Sequence, residues 1–290
     1  MSGELPVTPP APVGELREVH GPSALGGGSR RFFDLLWLMS VTEFKRVYFG
    51  TVLGYLWSLI RPLMLFGVLL FVFTQIFKIG SEEAEFYPVL LLLGIVLFTF
   101  FQESTVNSVT SVVGQEGVVR KTQFPRLVIP LATVLTSAFN FCLNLVVVVV
   151  FILAFGVDPT WTWLLFPFAL ALLFVLTAAT SMALSVLYVR FRDVAIIWTV
   201  AAQVLFYATP VLYPLEALHN KTFERILMIN PLTPIFVQIR HWVIEPGAPT
   251  APAAAHGWIH LLPAAAIFVA VCVFGVWIFN RDAPRIAEEL

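Results

Sequence analysis

Charge is scarce in this chain. Only 12% of its 290 residues are Asp, Glu, Lys or Arg, against about 25% in water-soluble domains. That shortage excludes an ordinary soluble fold, whose surface has to be polar. Basic residues are not in excess either, and a net charge of −1 argues against nucleic acid as a partner. The two cysteines, Cys142 and Cys272, lie inside apolar runs without metal-ligand spacing and read as small buried hydrophobes. His20, His219, His241, His256 and His260 show no H-E-x-x-H pattern, and no metal site is expected. The carboxylates Asp34, Asp158, Asp193 and Asp282 are scattered, whereas a membrane enzyme would cluster them at one face. No phosphate-cradling G-x-x-x-x-G-K-[ST] loop is present. Leu25-Gly26-Gly27-Gly28-Ser29 is Gly-rich but lacks the Lys and a preceding strand, and reads as linker. The chain is therefore expected to be no enzyme, to bind no cofactor of its own, and to leave ATP hydrolysis to another chain.

What the sequence has in abundance is apolar residues, 59% of the total, arranged in blocks long enough to cross about 30 Å of hydrocarbon. Six segments qualify: Leu56 to Phe77, Tyr87 to Ser108, Leu127 to Phe155, Trp163 to Val189, Val194 to Leu212 and Ile259 to Phe279. They are too long and too continuously apolar for barrel strands, so α-helices are expected. The β-branched run from Val146 to Val150 is expected to be helical as well, because local satisfaction of backbone groups in lipid outweighs its strand propensity.

Basic residues near span ends mark the cytoplasmic side. With the N-terminus inside, Arg30, Arg31, Lys45, Arg46, Arg120, Lys121, Arg126, Arg190, Arg192, Arg281 and Arg285 fall on that side, and only Lys78, Lys221, Arg225 and Arg240 fall outside. Both termini are expected in the cytoplasm. Phe33, Trp37, Val41, Phe44 and Tyr48 recur at helical spacing before the first span and predict an amphipathic interface helix. Ile235, Phe236, Ile239, Trp242 and Val243 do the same after the break at Asn230, Pro231 and Pro234, and predict short re-entrant outer helices. The expected architecture is all-α: a disordered cytoplasmic tail over 1–29 with no signal peptide, an interface helix over 30–55, a six-helix membrane domain over 56–282 and a cytoplasmic tail over 283–290.

Ionisable groups inside spans are costly and are default functional candidates. Arg61, beside Pro62, lies close enough to the cytoplasmic end to snorkel. Glu103, with Asn107 one turn later, suits either a protein-facing hydrogen bond or a pore. Asn140 and Asn144 share a helix face and suit interhelical hydrogen bonding. Two short cytoplasmic turns also stand out. Gly114 to Arg126 carries Gln115, Glu116, Arg120 and Phe124 between glycines and a proline, and Arg190-Phe191-Arg192-Asp193 brackets a Phe between two arginines.

The run Tyr48-Phe49-Gly50-Thr51-Val52-Leu53-Gly54-Tyr55-Leu56-Trp57-Ser58-Leu59-Ile60-Arg61-Pro62-Leu63 resembles the start of the first span in type-2 ATP-binding-cassette permeases that export O-antigen and teichoic acid. Phe124-Pro125, Phe191-Arg192-Asp193 and Asn230-Pro231 resemble that family's turns, and the resemblance runs from about Phe32 to Asp282. The family often has a neutral amide where this chain has Arg61, and a Tyr where it has Phe191. The resemblance implies a homodimeric permease in the cytoplasmic (inner) membrane that exports a lipid-linked polysaccharide. Two separate ATPase subunits carrying ATP and Mg would be its partners. It implies docking of the ATPase on Phe33, Trp37, Gln115, Glu116, Arg120, Phe124, Arg190, Phe191, Arg192 and Asp193. Phe98, Phe101, Glu103, Trp198, Phe206 and Tyr207 are candidates for the channel wall, which aromatic rings would form by stacking on sugar faces. Tyr213, Asn230, Pro231 and Trp242 are candidates for an outer gate. Rival readings are an exporter of drugs or small lipids, a membrane enzyme acting on lipid-linked sugars, and a membrane scaffold.

The basic-residue asymmetry makes a direct prediction. A cysteine replacing Thr250 should react with an impermeant thiol reagent added to intact cells, and one replacing Gln123 should not; labelling at 123 contradicts the expected orientation.

Overall fold

The computed structural model describes residues 29–48, 54–76, 86–117, 125–218 and 220–282. The expected tails, the acidic first outer loop, Arg120 and Phe124 lie outside the described residues. Among those described there is no strand, and the chain runs through eleven α-helices. These are α1 (Ser29–Tyr48), α2 (Gly54–Phe71), α3 (Tyr87–Val109), α4 (Ser111–Gly114), α5 (Val128–Ala154), α6 (Phe166–Arg190), α7 (Val194–Ala208), α8 (Lys221–Leu227), α9 (Leu232–Val243), α10 (Ala251–Ala254) and α11 (Leu262–Asp282). With their flanking turns, α2, α3, α5, α6 and α11 form five stretches long and apolar enough to span, at mean hydropathies from 1.9 to 2.5. The valine run of α5 is helical, as expected.

The segment from Val194 differs from expectation. Its helix has 15 residues, about 22 Å at 1.5 Å per residue, short of the hydrocarbon thickness. It stops because Pro210 disfavours helical geometry at the residue before it, and Thr209 is extended at φ −108°, ψ 143°. The chain then folds back over α3. The Tyr87 hydroxyl donates to the Leu212 carbonyl at 2.7 Å, and a Cβ on Gly94 would stand 3.1 Å from the Val211 carbonyl oxygen.

Helix α3 is the hub, with 78% of its spanning window buried, and it packs against α2, α5, α6 and α7. It is apolar all round along its first half, as a fully enclosed helix should be. Its second half carries Ser104, Thr105 and Ser108, all buried, small enough to let neighbouring helices approach. Helices α2 and α11 sit at the edges, each only 11% buried. Gly275 makes the α11 contact close, because a Cβ there would collide with the backbone carbonyl of Ala179 on α6.

Helix α1 lies along α5 and leaves part of its aromatic stripe open. Phe32 and Ser40 are buried while Phe33 and Trp37 are more than half exposed. The register is set by polar clips. The Ser40 hydroxyl bonds the Leu36 carbonyl at 2.7 Å and lies 3.3 Å from that of Ala132, and the Thr136 hydroxyl lies 3.2 Å from the Ser40 carbonyl. Trp37 and Phe44 of the aromatic stripe meet Phe139 edge-on, and Phe33 meets Phe32 likewise. The short outer helices α8, α9 and α10 follow α7. Helix α9 buries Ile235, Phe236, Ile239 and Val243 in the main core. Arg240 on the same helix holds Glu216 at 2.7 Å and Glu245 at 2.8 Å.

Gly275→Ala is expected to destabilise the chain by about 1–3 kcal/mol, the usual cost of overpacking. Gly67→Ala, where a Cβ meets nothing within 4 Å, should be neutral or slightly stabilising, since Gly is a poor helix residue. Thermal unfolding of the two variants in lipid nanodiscs checks the contrast.

Candidate functional site

Pro62 inside α2 has no N–H to give to the carbonyl one turn back, that of Ser58, and in a span such a group needs another partner. The partner comes from α5, where the Asn144 side-chain amide stands 3.5 Å from the Ser58 oxygen. The same amide reaches the Asn140 carbonyl at 2.9 Å and its side-chain oxygen at 3.3 Å. Asn140 in turn donates to Glu103 of α3 at 3.4 Å, and Glu103 faces Arg61 of α2 at 3.9 Å. The circuit starts and ends on α2 one turn apart and ties three spans together. Several of its distances lie at the long limit of hydrogen bonding, so it is a loosely closed ring. Its inner members, Asn140 and Asn144, are buried, whereas the Arg61 side chain is 83% exposed. A guanidinium this open inside a span needs a polar surrounding.

The aromatic candidates come together, chiefly as packing. Phe98 stands 5.2 Å from Phe206 and 6.0 Å from Phe101, and Phe101 stands 6.4 Å from Trp198, ring centre to ring centre. Phe98, Phe101 and Phe206 are buried and join α3 to α7. Tyr207 is exposed and Trp198 half-buried. They continue the cluster toward the free side of α7, where Ile197, Val200 and Val204 are also exposed.

The docking candidates that are described gather at one end of the bundle. A second core cluster unites Phe32 of α1, Val112 of α4, the start of α5 and the ends of α6 and α11. Phe33, Trp37 and Phe191 are exposed there, and Gln115 and Glu116 are half-buried. Arg190 is committed to Asp282 at 3.4 Å, a carboxylate only 4% exposed. Arg192 lies over the Tyr188 ring at 5.0 Å, and the exposed Asp193 leads into α7.

At the other end, Asn230 bonds the Thr209 hydroxyl at 2.9 Å and accepts from the Leu232 N–H at 3.1 Å. With Pro231 it clips the start of α9 to the end of α7. Tyr213 donates to the Tyr207 carbonyl at 3.0 Å, and burial pushes its phenol pKa up. The Trp242 carbonyl accepts from Thr162 at 2.6 Å, and Trp163 donates to the Val243 carbonyl at 3.1 Å. Sequence reasoning missed the Arg240–Glu216–Glu245 knot, although a lone Arg in an apolar helical stripe was a usable signal.

Residues 34–243 match the family described as ABC-2 type transporter. Two O-antigen export system permease proteins RfbA of Klebsiella pneumoniae are similar over most of their length. One is 30% identical over 260 residues and the other 28% over 259, each covering 89% of this chain and 95% of the relative. The Myxococcus xanthus protein of the same name is 26% identical over 249 residues, 86% of this chain and 92% of its own.

The ring predicts an order of effects on stability. Asn140→Leu, which removes the link between Glu103 and Asn144, should cost about 1–2 kcal/mol. Arg61→Gln, which removes an exposed partner at 3.9 Å, should cost less than about 1 kcal/mol. Denaturation in nanodiscs that gives the reverse order contradicts the ring as a structural tie.

Proposed function

The chain belongs to the ABC-2 type transporter family, and from that premise we propose that it is the permease subunit of an exporter that carries a lipid-linked cell-envelope polysaccharide out of the cytoplasm. The observation that carries this reading is similarity along nearly the whole length to proteins named as O-antigen export permeases. The polar ring supports it, since a path for a hydrophilic polymer needs polar groups between apolar spans.

Two copies form the conduit. The support is the pair of thinly packed edges, α2 with its open Arg61 and α7 with Ile197, Val200, Val204 and Tyr207 exposed. Closing these edges against a second copy would shelter both, and a two-fold arrangement is the commonest for identical chains. ATP and Mg belong to a separate ATPase that docks at the end holding α1, α4 and the α6–α7 turn. Phe191, 61% exposed on a short turn, has the character of a buried interface anchor. This end faces the cytoplasm, in the orientation the basic residues favour, and the membrane is the inner one. Asn230, Tyr213 and Trp242 close the opposite end.

Deletion of the gene should remove the surface glycan while its lipid-linked precursor accumulates inside the cell, and a copy of the gene supplied in trans should restore it. Unchanged surface glycan in the deletion strain, measured by extracting and separating cell-surface carbohydrate, refutes the reading.

A further inference from the structure

A cleft of about 620 Å³ opens beside the ring, walled by α1, α3, α5 and α7 near the α4 end of the bundle. Its size falls in the range of about 300–1,000 Å³ typical of small-ligand sites. Its chemistry is unusual for so apolar a chain. Among the described residues, the ionisable groups on its wall are Glu43 and Arg46, and they pair with each other at 2.5 Å, which offsets their charges.

Four of the six hydroxyls that line it have already spent their protons. Thr136 donates to Ala132, Thr199 to Ala195 and Ser111 to Ser108, at 2.8, 2.7 and 2.8 Å, and Thr133 reaches Ile129 at 3.3 Å. A hydroxyl has one proton and two lone pairs, so these oxygens meet a ligand as acceptors. Asn107 and Gln115 add amide donors from α3 and the turn after α4. An anion would face mainly lone pairs and an Arg that is already paired, and an acyl chain would leave those acceptors unanswered, whereas a sugar also has C–H faces to set against Val47, Val106 and Ala195. The ligand that suits clustered acceptors with a few amide donors, at no net charge, is one rich in O–H groups.

We infer that this cleft is a subsite for an uncharged sugar unit; the identification of that sugar with the exported glycan rests on the exporter reading above. Ser137 lines both this cleft and the small gap bordered by Glu103 and Asn140. A sugar leaving the cleft would therefore meet the polar ring next.

The test uses the full-length chain in lipid nanodiscs, with Cys142→Ala and Cys272→Ala to remove background thiols and Thr110→Cys as a reporter on the cleft wall. The rate of N-ethylmaleimide labelling is followed against glucose, mannose, galactose and rhamnose, each alone and as its trisaccharide. Inorganic tripolyphosphate and polyethylene glycol serve as comparison probes. At least one sugar should slow labelling saturably, by about 10-fold at ten times its Kd. The double variant Thr133→Val, Thr199→Val keeps the shape but removes two acceptors. It should raise the half-protecting concentration by about 10-fold, the size of losing one or two net hydrogen bonds, with an unchanged unfolding midpoint. Protection by tripolyphosphate alone, equal protection by polyethylene glycol, or protection by none of the sugars overturns the subsite. Binding is read without export, so absence of protection beside a glycan-deficient deletion strain removes the subsite alone. Protection beside an unaffected deletion strain removes the exporter reading and leaves a sugar site.

Discussion

Hydrocarbon offers no partner to a hydrogen-bonding group, so a polar atom placed in a span has to be answered by protein. Pro62 creates such a need at the Ser58 carbonyl, and the Asn144 amide lies 3.5 Å from it. Asn144 leads to Asn140, Asn140 to Glu103 and Glu103 to Arg61. That sequence of contacts links α2 to α3 and α5 beside their apolar packing. The same requirement shows at the outer end, where the Asn230 amide meets the Thr209 hydroxyl at 2.9 Å and lies 3.5 Å from the Ala208 carbonyl at the end of α7. It also explains the clip of α1 onto α5 through Ser40 and Thr136.

The constraint divides the molecule into parts of different firmness. Helix α3 is enclosed along its first half and carries the core. Helix α11 meets the bundle on one side, through Ala264, Gly275, Ile278, Phe279 and Asp282, and is exposed along the other. Helices α2 and α7 have one packed side and one free side, and on the free side they hold an open guanidinium and an open phenol. In the exporter reading, these two edges are the surfaces that can separate or slide as the ATPase turns over, while α3, α5 and α6 stay fixed. Weakly packed elements are the ones proteins recruit for motion.

Much of this was legible in the sequence. Apolar blocks of spanning length located the five long helices, because length in hydrocarbon is set by the bilayer and not by distant contacts. The short α7 was also written there, in Pro210, although the apolar run continued past it to Leu212. Arg61, Glu103, Asn140 and Asn144 each stood out singly as polar residues in apolar stretches. Their closure into one ring did not, since it depends on how three helices rotate about their axes and the spacing within one helix is silent on that. How α1 seats on α5 was hidden for a related reason. Its register is fixed by Ser40 meeting α5, and the aromatic stripe that dominates the periodicity stays partly open. Phe98, Phe101 and Phe206 are buried together, and composition alone could not say which of the many Phe pack against one another.

The central claim is that this chain conducts a polysaccharide under the drive of a separate ATPase, and reconstitution tests it most directly. The purified chain and its partner ATPase are placed in liposomes, with lipid-linked glycan in the outer leaflet and a glycan-degrading enzyme sealed inside. The account predicts that glycan becomes degraded only when ATP and Mg are supplied on the ATPase side, and that omission of this chain abolishes it. Degradation at the same rate without ATP, or in liposomes that lack the chain, contradicts the account.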